Sequence, residues 1–225
     1  MIRIFDIIFS LIALIILSPV FIIIIIVLCF TGEGYVFFLQ KRIGFCEKSF
    51  NLFKFATMLK NSPNIGSKTV TINNDTRILP VGKFLRKTKI NELPQLLNIL
   101  KGDMSIIGPR PMTKENYLLY DIKVRQTISK MKPGLSGIGS IIFRNEESLL
   151  TENNHNINFF KTKITPYKGL VEYWYASKQS TTLYFFLIFI TVWVIFNPKS
   201  QIIWKYFQTL PKPKGKLKKI LNFKS

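Results

Sequence analysis

"IFDIIFSLIALIILSPVFIIIIIVLCF", residues 4 to 30, is apolar at almost every position, and the way it meets a membrane decides the architecture of the whole chain. At ~1.5 Å rise per residue a helix of this length reaches across a hydrocarbon core ~30 Å thick. It is too long for a secretory leader, carries Asp6 near its start, and is followed by no small-residue cleavage site. Ser18-Pro19 stands in its middle. Proline removes a backbone donor and clashes with the carbonyl four residues back, so a kink is predicted there.

Outside this segment the chain is strongly basic. Of 225 residues, 32 are Lys or Arg and 12 are Asp or Glu, a formal net charge of +20, while 48% are hydrophobic. Basic and apolar together point to a membrane surface before they point to nucleic acid. No helix-turn-helix, zinc-finger spacing or RNA-binding aromatic signature accompanies the charge, so no nucleic-acid partner is expected. Cys29 and Cys46 lack metal-ligand spacing and fit a reducing compartment.

Charge also sets the expected topology. The start carries Arg3, residues 31 to 180 carry 23 Lys+Arg against 11 Asp+Glu, and the tail after Asn197 has eight lysines and no acid. A second apolar segment, "TTLYFFLIFITVWVIF" at 181 to 196, is short for a span and reads equally well as an interfacial helix. Crossing by either segment puts a basic stretch outside, against the positive-inside tendency. A first helix that enters the inner leaflet, bends at Ser18-Pro19 and returns keeps all three basic stretches in the cytoplasm. The expectation is a monotopic protein on the cytoplasmic side of its membrane: a re-entrant helix at 1–30, a cytoplasmic-face domain at 31–180, an interfacial or membrane helix at 181–196 and a basic tail at 197–225. The tail, ending "PKPKGKLKKILNFKS", suits anionic inner-leaflet headgroups and equally a solvated, frayed end.

The middle of the chain reads as a helix-rich α/β domain. "GYVFFLQKRIG" (34–44) and "KSFNLFKFATM" (48–58) have strand-like composition. "NELPQLLNILKGD" (91–103) has Leu93, Leu96, Leu97 and Leu100 at helical spacing, with Gly102 as the stop. Residues 61–76 are turn-rich and suit a mobile loop or lid, and residues 145–165 are polar and read as irregular. His155 lies in that polar stretch and is assigned no chemistry. "VEYWYASKQS" (171–180) reads as an interfacial aromatic belt, with core packing as the alternative.

Lys54, Arg77, Arg86, Lys87, Lys89, Lys101 and Arg110 are candidate phosphate ligands, although scattered cations on helices are usually solvated. Arg110 differs because it stands between Pro109 and Pro111, on a stiff turn. Such a turn serves a bidentate phosphate fork and a structural ion pair equally well. Arg144 is a further candidate for substrate.

Together "FLQKRIG", "FNLFKFATM", "GKFLRKTKINELPQLLNILKGDMSIIGPRPM" and "KPGLSGIGS" resemble the bacterial sugar transferase family, the small monotopic phosphoglycosyl transferases, over nearly the whole span from Ile2 to about Ile195. The resemblance implies a re-entrant helix broken at a Ser-Pro pair. It implies transfer of a sugar phosphate from a UDP-sugar to a polyprenyl phosphate such as undecaprenyl phosphate, with UMP release and Mg²⁺. The product would start a lipid-linked surface glycan and be handed to downstream glycosyltransferases. By the resemblance, Glu92 is the Glu of an Asp-Glu pair and handles proton or metal, while Lys54, Arg86 and Arg110 contact phosphate. The family's nucleophilic Asp is Asn91 here, and Ala56 stands where a basic residue is often found after "KF".

A carboxamide has no anionic oxygen to attack with. Three accounts follow: Glu92 attacks; the acceptor phosphate attacks directly, with Asn91 as hydrogen-bond donor and Glu92 on the metal; or the chain is a non-catalytic glycan-assembly subunit. Asp103, Glu146 or Glu147 could substitute for the missing carboxylate only if the fold brings one close, and "KGDMS" reads more simply as a structural turn.

Overall fold

A computed structural model describes residues 1–62, 75–144, 157–198, 200–221 and 223. Most of the proposed lid, His155, Glu146 and Glu147 lie outside the described residues. The architecture is helix-rich α/β, in the order α1 (Ile2–Phe30), β1 (Phe37–Ile43), β2 (Ser49–Phe55), α2 (Pro80–Lys87), α3 (Gln95–Lys101), β3 (Ser105–Ile107), α4 (Lys114–Leu118), α5 (Ile122–Ile128), β4 (Gly134–Ser136), α6 (Ile138–Ile142), α7 (Thr165–Ser177), α8 (Thr181–Phe196), α9 (Ile202–Tyr206) and α10 (Lys216–Ile220). The strands form an antiparallel hairpin, β1 with β2, and a short parallel pair, β3 with β4.

α1 is one helix, long and apolar enough to cross a membrane. Only one stripe of it meets the protein. Asp6, Ser10, Ile24 and Leu28 are buried, and Ala13, Leu14, Leu17, Phe21 and Ile25 pack against core residues between them. These positions recur every three or four residues, the spacing of one helical face. The opposite face, including Ile8, Ile12, Ile15, Ile22 and Ile26, is exposed. Pro19 cannot donate to the Ile15 carbonyl, and the Ser18 hydroxyl donates to that same oxygen at 2.8 Å. The Ser-Pro pair therefore removes one backbone bond and replaces it locally, which a segment in lipid requires.

Polar side chains fix the start of α1. Asp6 Oδ1 accepts from Ser105 Oγ at 2.9 Å, the Ile106 amide at 2.9 Å and Tyr184 Oη at 2.8 Å. Arg3 donates to the Ile99 and Leu100 carbonyls at the end of α3, where a cation complements the unpaired carbonyls and the helix dipole.

α3 ends at Gly102 as expected, in the left-handed conformation, but its buried face is shifted off the leucine row. Leu96 and Ile99 are in the core, Leu97 is exposed, and Gln95 and Asn98 are buried. Asn98 explains the shift: its Oδ1 accepts from the Phe53 amide at 2.9 Å and its Nδ2 donates to the Asn51 carbonyl at 2.8 Å. The side chain thus bonds the backbone of β2 as another strand would, and turns the helix so that Asn98 faces inward.

Two further expectations are corrected. The 171–180 stretch is not an interfacial belt: Val171, Trp174 and Tyr175 are in the main core. The tail is not frayed: Ile203, Leu210 and Leu217 belong to that core, Trp174 Nε1 donates to Thr209 at 3.1 Å and Tyr167 Oη donates to the Pro211 carbonyl at 2.7 Å. Lys205, Lys212, Lys214, Lys216, Lys218 and Lys219 remain exposed around this folded segment.

Candidate active site

The hairpin supplies one wall of the site. Side chains alternate across a strand, so Phe38, Gln40 and Arg42 share a face, and the register places Lys54 opposite Phe38 on it. The second wall starts where α2 ends. Lys89 takes a left-handed conformation, φ 61°, and redirects the chain into a 3₁₀ turn, Ile90–Glu92, that holds Asn91 and Glu92.

The third wall is the Gly108-Pro109-Arg110-Pro111 turn, tied to both neighbours. The Gly108 amide donates to the Ser136 carbonyl at 2.9 Å, the Gly134 amide donates to the Pro109 carbonyl at 2.8 Å, and the Ile43 amide donates to the Met112 carbonyl at 2.9 Å. A side chain has no room in this contact, since a β-carbon on Gly134 would stand 2.1 Å from the Gly108 nitrogen. Arg110 is therefore presented from backbone locked on two sides.

Lys54, Arg86, Asn91, Glu92, Arg110 and Arg144, all singled out in the sequence, line one cleft of about 960 Å³, together with Arg42, Lys89 and Lys168. Glu92 Oε1 accepts from Arg110 Nη2 at 2.8 Å and lies 3.6 Å from Lys54 Nζ. Burial alone would raise the Glu92 pKa, but Arg110, Lys54 and Lys89 outweigh it and hold the carboxyl well below the usual range. Burial pushes the Lys54 ammonium down to about 8, against the pull of Glu92, with Arg42, Arg110 and Arg86 adding repulsion. Burial likewise lowers Arg42 to about 10, with Arg110 adding to the fall and Glu92 opposing it. One anion thus stands among several crowded cations, an arrangement that a diphosphate completes.

Asn91 is 5% exposed, and its Oδ1 is buried with no hydrogen-bond partner among the described residues. The other sequence candidates lie elsewhere. Arg77 is buried in a bidentate pair with Asp75, at 2.8 and 2.5 Å. Lys101 pairs with Asp103 at 3.4 Å, and Asp103 also accepts from Asn98 at 3.3 Å, so it serves the α3 turn and does not substitute for the missing carboxylate.

Sequence reasoning missed Arg42, Lys168 and Glu172. Alternation along β1 carries the signal for Arg42. Glu172 has none, because it lies in an aromatic stretch. Its side chain is buried against Gly139, where a β-carbon would stand 2.2 Å from Oε1. Oε1 accepts from the Arg110 amide at 3.5 Å, and Oε2 is buried without a partner among the described residues.

Burial pushes the Glu172 carboxyl up to about 7, against the Arg110 amide and the charges of Lys168 and Arg110; the Tyr175 hydroxyl is the other titratable neighbour. A carboxyl whose folded pKa lies above its unfolded value, ~4.3, adds no penalty below the unfolded value and costs stability as pH rises towards 7. Glu172→Gln is expected to be more stable than the native protein at pH 8 by about 1–3 kcal/mol, seen as a higher unfolding temperature, with the gap closing by pH 4.5. Parallel melting curves at both pH values would sink this.

Among the described residues no three of His, Cys, Asp and Glu gather into a metal-binding group. Mg²⁺ commonly takes one or two carboxylates and completes its shell with substrate phosphate and water. Glu92 and the unpartnered Asn91 Oδ1, both hard oxygen donors, fit the protein's share of such a shell.

Residues 1–198 match the sequence model of the family described as bacterial sugar transferase. The chain is 36% identical over 163 residues to the exopolysaccharide production protein ExoY of Sinorhizobium fredii, covering 66% of this chain and 72% of that one. It is 36% identical over 158 residues to the undecaprenyl-phosphate galactose phosphotransferase of Salmonella typhimurium, covering 64% of this chain and 33% of the relative. It is 35% identical over 162 residues to the UDP-glucose:undecaprenyl-phosphate glucose-1-phosphate transferase of Klebsiella pneumoniae, covering 70% and 34%. With the match running through α1, the cationic cleft and the locked Arg110 turn, this chain belongs to the bacterial sugar transferase family.

Proposed function

We propose that the protein transfers a sugar phosphate from a UDP-sugar to undecaprenyl phosphate, releasing UMP and starting a lipid-linked surface glycan. The observation that carries this reading is Glu92 held ionised between Arg110 and Lys54 on the wall of a cationic cleft. The activities for which the relatives are named support it over a non-catalytic role.

Lys54, Arg42, Arg86 and Arg110 bind the diphosphate, and Arg144 and Lys168 extend the cationic wall. Glu92 and Asn91 would hold a Mg²⁺ ion, which when bound would supply Lewis-acid neutralisation of phosphate oxygens. Glu92 is a poor nucleophile, because Arg110 and Lys54 neutralise its charge and hold the carboxyl well below its usual range, which leaves it weakly basic. The acceptor phosphate therefore attacks directly. A phosphate oxygen forms a bond to the sugar-bearing phosphorus, the bond from that phosphorus to the bridging oxygen breaks, and UMP leaves with the electron pair. A phosphate monoester is largely dianionic at neutral pH, so the attack needs no general base.

UMP release from a panel of UDP-sugars tests this, with and without polyprenyl phosphate. The native protein should release UMP only when acceptor is present, by sequential kinetics. Asn91→Asp should release about one equivalent without acceptor, through a covalent intermediate. No turnover by the native protein, with activity only in Asn91→Asp, would establish the non-catalytic reading.

The protein sits monotopically at the cytoplasmic face of the inner membrane, with α1 re-entrant. α1 docks through one stripe from Asp6 to Leu28, so both halves stay on the same domain while the opposite face meets lipid. The exposed tail lysines face anionic inner-leaflet headgroups. Single cysteines placed near Met1 and Thr31 should both resist labelling from outside intact cells. External labelling at either position would overturn this topology.

A further inference from the structure

The cleft that holds the cations has a further, apolar wall. Ile106, Leu135, Ile188, Val192 and Ile195 line the same cavity as Arg110 and Lys54. Along α8 the hydroxyl is engaged, since Thr191 Oγ1 and Ser136 Oγ bond each other at 2.8 Å and Thr191 Oγ1 donates to the Leu187 carbonyl at 2.7 Å, while the hydroxyls of the same cavity without a partner among the described residues, Ser140 and Thr165, stand on α6 and α7. A ribose, a uracil or a sugar buried here would leave polar groups unmatched. A hydrocarbon chain would not.

The wall also reaches the surface. Val192 and Ile195 are 50% and 51% exposed, so each belongs to the cleft and to the outer face of α8. That outer face continues through Phe185, Phe189 and Phe196, all exposed. The Ser136–Thr191 bond joins α8 to β4, the strand that locks the Arg110 turn, so the apolar wall and the phosphate ligands are held in one frame.

We propose that this wall seats the isoprenoid chain of the acceptor, which enters sideways from the bilayer past Val192 and Ile195 while its phosphate reaches Arg110 and Lys54. The proposal rests on the transferase reading and adds the place and direction of acceptor entry. The donor nucleotide enters from water, along the polar side of the cleft. A membrane phospholipid offers the same hydrocarbon chemistry, and competition separates the two.

A polyprenyl phosphate carrying a photoreactive group on its first isoprene units should label residues 181–196 of the full chain in nanodiscs. Undecaprenyl phosphate should protect, whereas excess phosphatidylglycerol or UDP-sugar should not. Val192→Trp and Ile195→Trp, both at half-exposed positions that tolerate bulk, should raise the acceptor KM about tenfold or more and leave the donor KM within about twofold. Labelling confined to α1, equal protection by phospholipid, or an unchanged acceptor KM in both variants would overturn the proposal. If the native protein releases no UMP, the transferase reading falls, and the labelling pattern still decides whether the wall binds the chain.

Discussion

Glu92→Gln lowers acceptor-dependent UMP release by about 10²–10³-fold, the usual loss when one preorganised electrostatic group is removed from a reacting phosphate or acyl centre. Gln is nearly isosteric, so the 3₁₀ turn at Ile90–Glu92 keeps its shape and the loss reports charge. Without the anion, Arg110 keeps only a neutral acceptor where it had a 2.8 Å ion pair, and the cations of the cleft repel one another unopposed. Lys54 registers the change: its ammonium is already down to about 8 through burial, and Glu92 is the group holding it up. In the native protein kcat/KM should fall on the alkaline side near pH 8 as Lys54 loses its proton. In Glu92→Gln that limb should move to lower pH. A variant whose rate falls with an unmoved alkaline limb would mean that Lys54 and Glu92 are not coupled in the working site.

The second large effect is on stability. Asp6→Leu should cost about 3–5 kcal/mol, because it strands three buried donors that now share one carboxylate oxygen: Ser105 Oγ, the Ile106 amide and Tyr184 Oη. Asp6→Asn keeps an acceptor at Oδ1 and should cost much less. Thermal unfolding of detergent-solubilised protein compares them, and a double-mutant cycle with Tyr184→Phe isolates one of the three bonds. If Asp6→Leu melts with the native protein, the carboxylate does not anchor the helix.

Much of the site was legible because it is local. Asn91 and Glu92 lie in one turn, Arg110 is braced by flanking prolines, and Lys54 lies on a strand of recognisable composition. Arg42 was hidden by distance: its role depends on hairpin register and on the Pro111 carbonyl, which it reaches at 3.4 Å from 69 residues away. Glu172 was hidden by context, since a lone acid between aromatic residues reads as solvated until Gly139 and Arg110 close over it. α1 was legible as a membrane segment but not as a packed one, because a helix apolar all round does not disclose which face finds protein. Asp6 and Ser10, one turn apart on the buried stripe, and Arg3 before them were the polar markers of that face. The leucine spacing of α3 disclosed the helix and its stop but not its buried face, since Asn98 turns inward to hydrogen-bond β2.

The stripe along α1 changes what the membrane segment is. Leu28 and Ile24 complete the cluster around Phe55 and Leu85, while Leu14 and Leu17 cover Leu52, Leu96 and Met104. Deleting residues 1–30 would not release a soluble enzyme from its anchor; it would open these clusters to water from one side. Docking of α1 and completion of these two clusters are therefore coupled, and mutations that loosen α1 should surface as lower protein yield before they surface as altered kinetics.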